Sequence, residues 1–230
     1  MPEKKKIKVK RKKRKLKIKR ILVSILILIL LGLLFMYVKD LPIKNIYIIG
    51  NNILSDKEII DISSISNYPP FLTTSSTTIK KKLLSNDYIK EVKVQKKIFN
   101  KIYIYITEMK IIGIYNDKLL MENNTLIDNT YNINTSPIVT SNIDTIRDKF
   151  TTKFSLVDNN ILLKISEISY EPNDVDKERF LLKMNDGNEV YITLSKITKI
   201  NKYNEIYSSM ENKKGIIYLD SGDYIEVKES

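Results

Sequence analysis

The longest unbroken apolar stretch of the chain runs from Ile21 to Val38, ILVSILILILLGLLFMYV, with Arg20 and Lys39 closing its ends. As a helix it would be roughly 27 Å long, close to a bilayer hydrocarbon core of about 30 Å, which predicts a membrane span over 21–38. A cleaved signal peptide has a shorter apolar region and a small-x-small site after it. Here the span ends in Phe35-Met36-Tyr37-Val38-Lys39-Asp40, which offers no such site, so the anchor is expected to be retained.

After Asp40-Leu41-Pro42 the pattern shortens. Ile43–Ile49 is rich in β-branched and aromatic residues and reads as a strand closed by Gly50-Asn51-Asn52. Ser55-Asp56-Lys57-Glu58 has capping-box spacing and opens a short helix to Ile62. A loop over 63–78 contains Tyr68-Pro69-Pro70-Phe71-Leu72, expected to fold back. Ile79, Leu83 and Leu84 mark a second helix over about 78–85. Two strands follow, Tyr88–Lys97 and Ile102–Thr107, around Phe99-Asn100-Lys101. Ile/Tyr alternation in the second places Tyr103 and Tyr105 on one side, read as a half-buried sheet surface.

From Ile111 the elements become shorter still. Strands over 112–115, 118–121 and 125–127 alternate with turn pairs, as in a meander, and Ile138-Val139 is a further short strand. Ile143, Ile146, Phe150 and Phe154 predict a helix over about 144–156, and the stretch from Ile161 to Tyr170 ends as a strand. Asp186-Gly187 between Phe180–Met184 and Glu189–Leu194 is a strong hairpin signal. Ile197, Ile200, Tyr203, Tyr207 and Met210 mark a helix, with Gly215 as its C-cap. Ile216–Leu219 and Tyr224–Val227 close the chain as a strand pair around Ser221-Gly222-Asp223. The predicted class is α+β: one N-terminal membrane helix, a β-α-α-β-β domain over 41–110, and a mostly antiparallel β domain with helices over 111–228.

Charge changes the picture only at the N-terminus. The whole chain is +12, but residues 1–39 hold 14 basic residues and one acid, leaving residues 40–230 near neutrality. The basic tail over 1–20 therefore orients the span with its N-terminus in the cytoplasm and pins it to anionic lipid. It does not make the folded part a nucleic-acid binder.

The chain has no His and no Cys. That removes the commonest general base, the commonest zinc ligands, the thiol nucleophile and every disulfide. There is no Ser-x-x-Lys, and six glycines form no phosphate-cradling loop. The acids Asp174, Asp176 and Glu178 lie beside Pro172-Asn173 and read as a solvated turn. No catalytic, metal or cofactor residues are predicted, and no small-molecule substrate.

A basic tail, one anchor and the strand-helix-helix-strand-strand order together resemble the FtsQ/DivIB family of bacterial cell-division proteins. IKNIYIIGNNILSDKEIIDIS resembles the start of that family's POTRA domain, and LLSNDYIKEVKVQKKIFNKIYIYITEMK its helix-to-hairpin part ending at Glu108. FLLKMNDGNEVYI and KKGIIYLDSGDYIEVK resemble the end of its β domain. Phe99 and Ile111 stand where the family often has Pro, and Gly113 where Ala is usual.

The resemblance implies a non-enzymatic scaffold at the division septum. It implies binding to the outer segments of FtsB/DivIC-like and FtsL-like proteins, with the septal peptidoglycan synthase complex as a further neighbour. The alternatives are a POTRA-bearing assembly or secretion component and a membrane-anchored cell-wall hydrolase. Strand addition to an open sheet edge is the expected mode of partner binding. The terminal strand is the candidate, with Tyr224 and Glu226 facing one way and Ile225 and Val227 the other, and Tyr218, Tyr224 and Glu226 are the expected partner contacts. Lys228 and Glu229 would blunt the same edge.

Overall fold

In the computed structural model, residues 17–211 and 213–227 are described. Most of the basic tail (1–16), and Lys228 and Glu229, lie outside them. The apolar stretch is a single helix, α1 (Ile18–Lys39), with no buried residue and uncharged from Ile21 to Val38. Its 22 residues are about 33 Å long, enough to cross a bilayer.

Strand β1 (Asn45–Ile49), helices α2 (Asp56–Ile62) and α3 (Ser76–Leu83), and strands β2 (Ile89–Lys97) and β3 (Lys101–Glu108) form the first globular unit. Its sheet has the order β1-β3-β2, with β1 parallel to β3 and β2 antiparallel to it. The capping box forms as expected. Glu58 N–H donates to Ser55 Oγ at 3.3 Å, and Ser55 N–H to Glu58 Oε2 at 2.8 Å. Ile59, Ile79 and Leu83 bury against Ile102, Ile104 and Ile106, whereas Leu84, expected to bury, stays 41% exposed.

Glu108 closes this unit. Its carboxylate accepts the N–H groups of Ile53 and Leu54 at 2.9 Å, tying the end of β3 to the loop after β1.

The rest of the chain builds one nine-stranded sheet. Its strands are β4 (Ile111–Tyr115), β5 (Lys118–Met121), β6 (Leu126–Asp128), β7 (Ile138–Val139), β8 (Ile165–Tyr170), β9 (Arg179–Met184), β10 (Glu189–Thr193), β11 (Gly215–Tyr218) and β12 (Tyr224–Val227). The order is β12-β11-β10-β9-β8-β7-β4-β5-β6, with parallel pairs only at β10–β11, β4–β7 and β7–β8. Helices α4 (Arg147–Phe154) and α5 (Asn159–Leu162), a 3-10 helix (Leu194–Lys202) and α6 (Tyr203–Ser209) complete it. Phe150, Phe154 and Phe180 sit at the centre of its core, with ring centroids 4.2–5.9 Å apart.

Strand β5 separates two cores. Leu120 packs into the core of the large sheet, while Leu119 and Met121 pack into that of the first unit. All three are fully buried, which is why LLM reads as continuous apolar sequence and not as alternation.

Two local expectations differ. Leu194, Ile197, Ile200 and Tyr203 are all buried at intervals of three, the period of a 3-10 turn, so the predicted helix begins as 3-10 and becomes α only at Tyr203. Gly215 is not a C-cap, because α6 ends at Ser209 and Gly215 opens β11. A side chain there would place Cβ 2.5 Å from the Glu226 carbonyl oxygen, so glycine lets β11 and β12 approach.

Candidate functional site

Strand β12 ends the sheet among the described residues, and all four of its residues are exposed. It pairs only with β11, antiparallel, with Tyr218 opposite Tyr224, Ile217 opposite Ile225 and Ile216 opposite Glu226. One side of its backbone therefore has no strand partner among the described residues, the template for an added strand.

The five predicted residues divide between the two faces. Tyr224 and Glu226 share a face with Tyr218, and Ile225 and Val227 lie on the other, beyond the buried Ile217. Tyr218 lies one strand in, on β11, so it is half-buried and not on the edge itself. Its hydroxyl donates to Glu226 Oε2 at 3.2 Å. Burial and the nearby Glu226 charge hold its pKa above the ordinary tyrosine value.

Two further residues extend this face. Tyr191 on β10 is opposite Tyr218, and the three rings Tyr191, Tyr218 and Tyr224 stack at 5.4 and 4.4 Å. The Arg179 guanidinium lies 3.8 Å from the Tyr191 ring centroid and donates through Nε to Asp220 Oδ2 at 2.7 Å. Burial pushes the Asp220 carboxyl up, but hydrogen bonds from Arg179 and Ser221 and the Arg179 charge outweigh it, and its pKa is lowered.

Asp220 and Asp223 flank the turn that delivers β12, and both are held. Lys196 donates to the Asp220 carbonyl, and Lys199 pairs with the Asp223 carboxylate at 2.6 Å. The edge is thus presented on a turn fixed from β9 and from the 3-10 helix, which lowers the ordering cost of pairing with a partner. Where this turn meets the 171–178 loop there is a groove of about 530 Å³ lined by Val175, Asp176, Arg179, Tyr218 and Tyr224. The acidic loop, read from sequence as a solvated turn, is one wall of it. Val175 projects from that wall 96% exposed.

Arg179, Tyr191 and Asp220 were not legible as site residues. Only the parallel β10–β11 register brings Tyr191 beside Tyr218, and no local spacing encodes that register.

A membrane-length helix, a β-α-α-β-β unit and a long, mostly antiparallel sheet define the structural class, an α+β protein with one candidate membrane span. Residues 41–109 match the FtsQ-type POTRA domain. The chain is 31% identical over 194 residues to the cell division protein DivIB of Bacillus subtilis (strain 168), covering 80% of this chain and 73% of that protein. It is 29% identical over 186 residues to DivIB of Geobacillus kaustophilus (strain HTA426), covering 76% and 71%. The solved extracytoplasmic domain of Geobacillus stearothermophilus DivIB is 21% identical, covers 46% of this chain and 97% of that one, and superposes with a TM-score of 0.38. The chain belongs to the DivIB/FtsQ family.

Proposed function

We propose that this protein is a single-pass, non-enzymatic scaffold of the bacterial division machinery, concentrated at the septum, with its C-terminal part outside the cytoplasm. The POTRA-like module over 41–110 sits close to the membrane, and the β domain over 111–228 captures partners. The partners are the outer segments of FtsB/DivIC-like and FtsL-like proteins, and through them the septal peptidoglycan synthase complex. A partner segment adds to β12 as a further strand, its backbone pairing with the free side of Tyr224–Val227. Tyr218, Tyr224 and Glu226 contact it on one face and Ile225 and Val227 on the other. The basic tail over 1–20 holds anionic lipid at the cytoplasmic surface.

The observation that carries this reading is the exposed, turn-anchored β12 at the end of the nine-stranded sheet. Family membership supports the division role. The test is capture of both outer segments by the full chain, compared with a chain lacking residues 221–230. Loss of capture with the POTRA-like module still folded is expected. Undiminished capture by the truncated chain would overturn the edge as the site.

A further inference from the structure

The connection between the span and the first sheet is short and held. Only Asp40–Lys44 separate α1 from β1. Phe71 N–H donates to the Leu41 carbonyl at 2.8 Å, Ile43 N–H to the Pro69 carbonyl at 3.1 Å, and Pro42 bridges Pro70. The turn between β2 and β3 is fixed to the same segment. Lys44 N–H donates to the Asn100 carbonyl at 2.8 Å, and Asn100 Nδ2 to the Pro42 carbonyl at 3.0 Å. Because β1 and β3 are parallel, with Asn45 level with Lys101, that turn lies at the end of the sheet where the chain emerges from the membrane. Pro42 is three residues from Lys39, at most about 11 Å of extended chain. The headgroup layer on each face of a bilayer is about 5–8 Å deep, so the turn is within its reach.

The turn is built unlike one that faces water. Ile98 is 78% exposed and Phe99 73% exposed. Phe99 and Asn100 both have left-handed backbone, φ 63° and 55°. Glycine and asparagine take that conformation readily, a phenylalanine does not, and this one is exposed. Beside the turn, Lys96 donates to the carbonyls of Phe71 and Leu72, holding the Pro-Pro loop against β2. The backbone of that loop folds back as expected, yet Tyr68 and Leu72 keep about half their surface exposed. Lys44 and Lys97, both exposed, and the half-buried Lys101 surround the turn. An apolar tip ringed by lysines at the foot of a span matches the chemistry of a lipid interface, apolar groups entering at headgroup depth and ammonium groups meeting phosphates.

We propose that the β2–β3 turn is a second membrane contact: Ile98 and Phe99, with Leu72 beside them, enter the headgroup region of an anionic bilayer on the side where the POTRA unit lies. The unit then stands on the membrane at two points and has a defined tilt. This rests on α1 spanning the bilayer and is independent of what binds β12.

The chain has no cysteine, so a single labelled site is clean. Full chain carrying Phe99→Cys, labelled with a polarity-sensitive fluorophore, is placed in nanodiscs of mixed zwitterionic and anionic phospholipid. A shallow acyl-chain spin label serves as quencher, and Val175→Cys is the solvent control. Incorporation into the discs reports the span itself. At least twofold stronger quenching at position 99 than at 175, with a blue-shifted emission, is expected; equal quenching overturns the proposal. Because a label can itself draw a loop into lipid, Leu72→Cys is read with Ile98 and Phe99 intact and again with both changed to Ser. The double change must abolish quenching at position 72, and full quenching after it overturns the proposal equally.

Discussion

The nine-stranded sheet ends twice, and the two ends are treated oppositely. At one end β5 is buried on both faces, and β6 is joined to the POTRA unit by side chains. Tyr131 donates to Glu58 Oε1 at 2.9 Å, Tyr88 donates to the Asp128 carbonyl at 3.2 Å, and the two rings meet edge-on at 5.0 Å. At the other end β12 is exposed along its whole length and is held by its pairing with β11, by Tyr218 and by its turn. Local sequence does not separate them, since Leu126-Ile127 and Tyr224-Ile225 are similarly apolar. What differs is covering: the strands at one end pack their side chains against the chain's own first unit, and the strand at the other end is exposed.

The largest expected difference is in stability. Leu119→Ala removes a buried side chain from the closed end and should cost about 2–5 kcal/mol, whereas Ile225→Ala at the open end should stay within about 0.5 kcal/mol. Urea unfolding of the full chain in detergent compares them, and similar losses would erase the distinction. Next in size, Arg179→Ala loses the charged hydrogen bond to Asp220 and the stack on Tyr191, a loss of about 1–3 kcal/mol. The folded Asp220 pKa is lowered, so its stabilisation is present above the ordinary carboxylate value and is lost as pH falls from there through the lowered folded value. The Arg179→Ala protein should therefore show a flatter acid limb of melting temperature against pH than the parent.

A smaller loss than that of Leu119 or Arg179 is expected from a polar contact at the closed end. Burial, with help from the Glu58 carboxylate, pushes the Tyr131 pKa up to about 12. Its contribution is full below the ordinary tyrosine value near 10 and fades as pH rises towards 12. Tyr131→Phe should cost about 0.5–1.5 kcal/mol at neutral pH and flatten the alkaline limb. An unchanged alkaline limb would mean that this hydrogen bond does not help close the end.

The elements were legible where their signals are local. The capping box at Ser55–Glu58, the Asp186-Gly187 hairpin and the strand at Tyr224–Val227 could all be read from neighbouring residues, because caps, turns and alternation are short-range constraints. Lys213-Lys214-Gly215 satisfies the rules for a helix end, whereas the constraint on Gly215 comes from Glu226 across the sheet. The candidate site was half legible for the same reason. Tyr224 and Glu226 lie on one short strand, but Arg179, Tyr191 and Asp220 join them only through register and a crossover.

The most direct test of the open edge is amide hydrogen exchange on the full chain, with and without the outer segments of the proposed FtsB/DivIC-like and FtsL-like partners. Slowed exchange within Tyr224–Val227 on binding, with Leu119–Met121 unchanged, is predicted. Saturated binding that leaves exchange at Tyr224–Val227 unaltered would contradict strand addition at β12.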